Sequence, residues 1–478
     1  MQIPDNPFYI VAFAPFLPAE AAGQQVRLLA IQSVDQGLAA LRPSMYIPLS
    51  KALSPQGGIT LEFAALADFD PAAIVARTPW MRALRDGRGA ASVQGPLQAA
   101  ATTLDSILDM VELSGSRAES AKRHDDGKNE ADSILSGVLS RILADDDFRR
   151  LEAAWQGVGL LFEVAGADRL LLDIVPVVQE TASAALESVA NLLDGDPPDL
   201  ILVDVPFDAT PVGMLLLESA ANLAERQMSP AICWCGPNFL HPDGWRALET
   251  LPYLPNHLDG FAFARWKALR ARPAAFWTVA ACNRFSVHPP LPGESSAGMF
   301  RSNRANYLAP VWGVASLILQ AVARSGSPLG ITSQVLRFTD SAGDPFMPLE
   351  AAISGDREHQ LVRSGLLPLM TADAGTGIRL PEAVTTNGEP IVPLLALSTL
   401  IHTLIKLRES CGPSDDPKEL TDRLREAFAL HPRFKGTLPA NSIDFDTAGI
   451  DANGCITLLV TLKKRLPGAK NIEFTFEW

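Results

Sequence analysis

Between Ile134 and Glu163 the apolar residues recur at helical spacing. Ile134, Leu135, Val138, Leu139, Ile142 and Leu143 form one stripe, and Phe148, Leu151, Trp155 and Leu160 form a second. Between them, Ala144-Asp145-Asp146-Asp147-Phe148 predicts a break and a new helix start. Asp carboxylates at that point can accept from the first N–H groups of the second helix and favour its dipole. Gly157 and Gly159 remove β-carbons where a neighbouring backbone could approach closely. Nothing in this stretch has the makings of a catalyst. It is built to pack.

The same patterning divides the chain. Residues 1–95 predict a small α/β unit, opening with a strand from Phe8 to Phe13. A second strand alternates Ile59, Leu61 and Phe63 against Thr60 and Glu62. Asp68-Phe69-Asp70-Pro71 then predicts a helix start with Ile74, Val75 and Leu84 on one face, and Thr78-Pro79-Trp80 either kinks that helix or starts another. Residues 96–132 predict a connector: an amphipathic helix over Leu97–Leu113, followed by Gly115–Asp132, too poor in apolar residues to order itself.

Residues 133–430 predict a large α/β domain. Arg169–Val178, Leu200–Val205 and Ala231–Cys235 are near-continuous apolar strands, separated by helices that end near Leu193 and Met228. That alternation predicts a mixed, partly parallel sheet. Tyr307–Arg324 and Pro393–Arg408 predict helices buried on several sides. Residues 431–478 are strand-rich, with Cys455–Leu462 and Asn471–Trp478 joined by a basic loop. The fold class expected is α/β: a small unit linked to a large mixed-sheet domain.

Composition narrows the function. Lys and Arg number 40 against 54 Asp and Glu, a net charge of -14, which argues against nucleic acid as a partner. Hydrophobic residues make up 47%, enough for a large core. Five Cys in 478 residues do not make a disulfide scaffold, and Cys233 and Cys235 read as buried small hydrophobes. The N-terminal apolar run is shorter than the roughly 20 residues a bilayer requires, so a cytoplasmic location without membrane insertion is expected.

Chemistry is sparse. Phosphate-binding loops, the Gly-rich dinucleotide turn, the serine elbow and the HExxH motif do not occur. Asp204 and Asp208 read either as a metal or acid–base pair or as a loop carboxylate capping the next helix. His241 and His257 flank a Pro-containing loop without a third ligand, and His124 and His288 read as loop residues. Trp234, Trp245, Trp266, Trp277 and Trp312 read as core or interface anchors. No catalytic, cofactor-binding or metal residue is expected, and no cofactor.

With those residues in hand, the chain resembles a fusion of the small and large contractile sheath subunits of the bacterial type VI secretion system. Pro7–Val11 and the stretch from Phe63 to Arg88 resemble the small subunit. Phe148, Leu151, Glu152, Trp155, Gly157 and Leu160, then Leu200–Leu240, Glu358–Leu369 and Leu397–Leu407, resemble the large one. The resemblance implies a contractile-sheath-like fold and a non-enzymatic, structural role: polymerisation into rings or tubes around an inner tube protein, docking on a baseplate, and ejection of the tube by lattice contraction. It implies that Leu104, Ile107, Leu108 and Val111 form the apolar face of a handle for a disassembly ATPase, against the plainer reading of an amphipathic helix on its own domain. It also implies that Asn471, Ile472, Phe474, Phe476 and Trp478 add a strand to a neighbouring protomer, against an ordinary intramolecular edge strand.

Two departures stand out. The family's extra N-terminal strand has no counterpart ahead of Pro7, which puts the usual interlocking in doubt. Around His402 and Lys406 the family's Arg and Tyr are replaced by apolar or small residues. An accessory or adaptor that does not polymerise is the alternative expected from the first.

Overall fold

The computed structural model describes residues 7–21, 26–50, 53, 54, 56–86, 131–289, 306–339, 343, 344, 346–372, 376–411, 416–430, 442–450, 456–463 and 472–478. The chain forms two compact units. One comprises Met1–Gly37, Ala153–Pro289 and Tyr307–Trp478; the other comprises Leu38–Glu152 and Pro290–Asn306. The elements that open the chain are β1 (Phe8–Ala14), β2 (Leu29–Ile31), α1 (Val34–Leu41), β3 (Ser44–Pro48), β4 (Gly58–Glu62), α2 (Pro71–Arg77), α3 (Pro79–Arg85), α4 (131–143) and α5 (Asp146–Ala165).

The unit containing β3 and β4 is small. The two strands pair antiparallel, and their alternation turns Met45, Ile47, Ile59 and Leu61 inward. Asp70 caps α2 by accepting from the Ala72 N–H at 2.7 Å, and Pro71 fits the first helical position. Thr78-Pro79 starts a second helix rather than kinking the first. Phe63 and Phe69 stack at 4.2 Å, and Phe148 meets both at 5.9 and 5.8 Å. Leu135, Val138, Leu139 and Ile142 of α4 are buried as their spacing predicts. The chain then breaks at Asp145, whose Oδ1 accepts from the N–H groups of Asp147 and Phe148, both at 3.2 Å.

The other unit is built on β5 (Leu170–Pro176), α6 (Ala182–Val189), β6 (Leu200–Phe207), α7 (Pro211–Gln227), β7 (Ala231–Cys235), β8 (Thr278–Cys282), α8 (Pro310–Ser325), β9 (Leu336–Arg337), α9 (Gly355–Arg363), β10 (Leu366–Pro368), β11 (Met370–Thr371), β12 (Gly377–Arg379), α10 (Ile391–Cys411), α11 (Pro417–Leu430), β13 (Ile443–Ile450), β14 (Ile456–Leu462) and β15 (Ile472–Glu477). Seven strands form the main sheet in the order β10-β8-β7-β6-β1-β5-β2, parallel except for β2. The fold is α/β with a large mixed sheet, as expected.

β1 does not belong to the small α/β unit expected over residues 1–95. β1 lies inside the main sheet, in register with Leu170–Pro176 on one side and Leu200–Val203 on the other. The reason is its composition. All seven residues of FYIVAFA are buried, so both faces need cover, which a small two-layer unit with one open face does not provide. Tyr9, Val11 and Phe13 join Val175, Ile201, Val203 and Cys233 in the core that α6 and α7 cover. α8 packs on the opposite face, against β6, β7 and β8.

A second correction concerns Gly157. The group that fills the space beside it is the indole of Trp312, not a neighbouring backbone. Phe16 lies 5.1 Å from Trp155 and 6.4 Å from Trp312 between ring centroids, and the Trp155 Nε1–H donates to the Phe16 carbonyl at 3.3 Å. All three rings are fully buried. α10 contains a stretch, Ile391–Glu409, long and apolar enough to cross a membrane by length and composition. Here Leu394, Leu400, Leu404 and Leu407 of that helix are buried within the unit.

Candidate functional site

Of the two carboxylates singled out in the sequence, Asp204 lies within β6 and Asp208 just beyond it, and the structure separates their roles. Asp208 lies past the strand end, where its Oδ1 accepts from the Thr210 N–H at 3.0 Å and bonds the Thr210 hydroxyl. Thr210 in turn caps α7 through the Gly213 N–H at 3.2 Å. Asp208 therefore organises the turn into α7, the capping role of the two readings. Asp204 points into the layer between the sheet and α8. It is 8% exposed, and its Oδ2 accepts from the Trp312 Nε1–H at 2.7 Å.

Burial pushes the Asp204 carboxyl up to about 7. The indole N–H groups of Trp312 and Trp234 and the charge of Arg284 oppose that shift in part. Arg284 follows β8 and is held by Glu350 in a two-pronged pair, with Nε to Oε2 at 2.7 Å and Nη2 to Oε1 at 2.6 Å. Its guanidinium also lies over the Tyr307 ring, 5.7 Å from the centroid. Burial alone would depress the Arg284 pKa, but Glu350 overrides it and the net shift is upward. The turn is fixed by Asn283, at φ 70°, whose side chain bonds the Ala351 N–H and the carbonyls of Ala351 and Leu369. Sequence reading missed Arg284, Glu350 and Tyr307. The available signal was a cation placed two residues after the apolar run of β8.

The remaining chemical candidates are dispersed. His257 meets the Leu240 carbonyl at 3.0 Å, and His241 Nδ1 lies 3.6 Å from Asp243. Cys233, Cys235 and Cys282 are buried thiols, and burial pushes Cys233 up to about 12. Among the described residues no group of three or more His, Cys, Asp or Glu could hold a metal ion. His402 is buried and its Nε2 lies 3.0 Å from the Gln227 carbonyl at the end of α7, while Lys406 pairs with Asp196 at 3.3 Å.

The C-terminal strands form their own sheet in the order β13-β14-β15. β15 pairs antiparallel with β14 from Thr457↔Glu477 to Leu462↔Ile472, which sets Phe474 against Val460 and Phe476 against Leu458. Arg408 lies over the Phe476 ring at 5.6 Å and donates to the Glu477 carbonyl at 3.1 Å. The Trp478 N–H donates to the Ile456 carbonyl at 2.8 Å. Among the described residues the outer edge of β15 carries no further strand. Asn471 lies outside the described residues, as do Leu104, Ile107, Leu108 and Val111.

Comparison with known proteins gives this arrangement a context. Residues 187–378 match the family described as VipB: EvpB/VC_A0108, tail sheath N-terminal domain. The chain is 22% identical over 281 residues to the type VI secretion system sheath protein TssC1 of Pseudomonas aeruginosa, across 50% of this chain and 56% of that protein. It therefore spans about half the length of that curated relative. Solved structures with similar folds include the anti-feeding prophage baseplate (TM-score 0.41, 10% identity, 68% of this chain and 76% of that one). The contracted helical sheath of the same prophage scores 0.38 at 11% identity over 68% and 78%. The sheath tail protein Lin1278 of Listeria innocua scores 0.37 at 9% identity over 62% and 59%. The chain is thus similar to the VipB tail sheath family over residues 187–378 and, across half of its length, to a type VI secretion sheath protein.

Proposed function

We propose that the chain is a structural subunit of a cytoplasmic contractile sheath, with small and large sheath portions fused, and that it polymerises around an inner tube and ejects it by lattice contraction. The observation that carries this reading is the tail sheath domain over residues 187–378. The place of β1 supports the fused character: residues that resemble the small subunit supply the strand between β5 and β6, so both portions contribute to one sheet. Such a device stores energy in alternative packings between subunits and has no need of a nucleotide site in the chain.

Partners in this reading are other copies of the chain, the tube protein, a baseplate and a disassembly ATPase. The outer edge of β15, which no strand among the described residues occupies, is where a neighbour's strand would add. Leu104, Ile107, Leu108 and Val111 would form the ATPase handle. Undiminished ATPase binding in a Leu104→Asp, Leu108→Asp double variant removes that handle.

Electron microscopy of the purified chain over rising concentration tests the whole reading. Rings or tubes are expected. A monodisperse monomer at high concentration overturns autonomous assembly and leaves the non-polymerising accessory role.

A further inference from the structure

Among the described residues Asp204 is a buried acid without a cation of its own. Every other residue from Leu200 to Val205 is a buried apolar group. Arg284, the cation that acts on Asp204, is already engaged by both oxygens of Glu350. Trp312 on α8 bonds the carboxyl, while Trp234 on β7, whose indole N–H makes no hydrogen bond among the described residues, and Arg284 in the turn after β8 act on it electrostatically. Among the described residues, the titratable groups that bear on it from these elements are Arg284 and, through Arg284, Glu350 and Tyr307. Cys233, Cys235 and Cys282 belong to the core on the other face of the sheet. The charged residue of α8 is Arg324, in its last turn, remote from Trp312.

Trp312 is the point where α8 is fixed. It bonds Asp204 on β6, fills the space left by Gly157 on α5 and packs edge-on against Phe16. A neutral Asp204 is compatible with all of these contacts and leaves Arg284 with Glu350. An ionised Asp204 puts a second carboxylate in competition for Arg284 and places an unpaired charge under α8, a costly arrangement in an apolar layer. We infer that Asp204 is a proton-operated latch for α8: protonated, it lets Trp312 seat the helix on the sheet, and ionised, it loosens that seat because the cost of a carboxylate buried under the helix outweighs its stronger bond to Trp312.

The pH window follows from the folded value of about 7 against an ordinary 3.8. A carboxyl raised on folding takes up a proton when the chain folds. The stability it contributes is complete below its unfolded pKa and is lost as pH rises to about 7, with the folding constant falling at most roughly tenfold per pH unit in between.

The test is equilibrium denaturation of the full chain from pH 5.5 to 8.5, with D204N, W312F and E350Q beside the wild type. Asparagine keeps an oxygen for the Trp312 N–H but cannot ionise. The wild-type folding constant is expected to fall roughly fifteenfold more than that of D204N between pH 5.5 and 7, and about twofold more by pH 8.5. W312F, which removes a donor that favours the ionised form, is expected to move the midpoint upward. E350Q, which releases Arg284 to Asp204, is expected to move it downward. A D204N chain with the full wild-type pH dependence overturns the latch. Should D204N fail to fold, an E350Q midpoint that is unchanged or raised overturns it equally.

Discussion

The ideal β-carbon position of Gly157 lies 2.3 Å from Cδ2 of Trp312. No real β-carbon tolerates that distance, and the obstructing atom belongs to a rigid, fully buried ring that is also hydrogen-bonded to Asp204. The glycine is therefore the complement of the tryptophan.

Gly157→Ala is expected to destabilise the chain by about 1–3 kcal/mol through overpacking, because the ring cannot retreat without breaking its bond to Asp204. Urea denaturation measures it. A loss no greater than that of an alanine placed at an exposed helical position contradicts the packing seen here.

Asp145 supplies the first acceptor for α5. Asp145→Ala is expected to cost about 1 kcal/mol, and Asp145→Asn, which keeps an acceptor oxygen, to cost less. Equal losses in the two variants would show that charge rather than capping matters there.

Glu152 lies in the smaller unit, where Asn306 Nδ2 donates to its Oε2 at 2.7 Å. Burial pushes this carboxyl up to about 7, against the pull of Asn306 and Arg149. Its contribution to stability is complete below its ordinary pKa of 4.5 and is lost as pH approaches 7. Glu152→Gln is expected to remove that slope and to stabilise the chain relative to wild type at pH 8. Thermal melts at pH 5.5 and 8 decide it, and a wild-type slope retained in the variant contradicts the assignment.

A protease site placed within residues 115–132 is expected to yield two fragments that stay together on size exclusion. β1 in one fragment is paired along both edges with β5 and β6 of the other. Separation of the fragments without denaturant would count against a shared sheet and against the fusion reading.

Deleting Asn471–Trp478 is expected to abolish assembly if β15 lends its edge to a neighbour. Circular dichroism is the control, because the deletion also uncovers Leu458 and Val460. Unchanged assembly of a folded truncation removes strand exchange from the proposal.

Local periodicity made much of the fold legible. The stripes of α4, the break at Asp145, the apolar strands β5, β6 and β7 and the capped start at Asp70 are all written within a few residues of each other. Pattern at that range reports which face is buried and where a helix can begin. The candidate site was less legible. Asp204 was visible as an acid within an apolar strand, but its partners Trp312 and Arg284 lie far away in sequence, and nothing local marks them as its neighbours.

The sequence by itself determined the element types, the buried faces and the scarcity of reactive groups, since these depend on propensity and amphipathic spacing. Only the tertiary structure decided that Phe8–Ala14 becomes an interior strand of the large sheet, that Trp312 occupies the space of Gly157, and that Asp204 is buried beside a cation committed to Glu350. Each is a contact between residues 66 or more positions apart. Such contacts are fixed by how whole layers close on one another, and a local pattern carries no record of that.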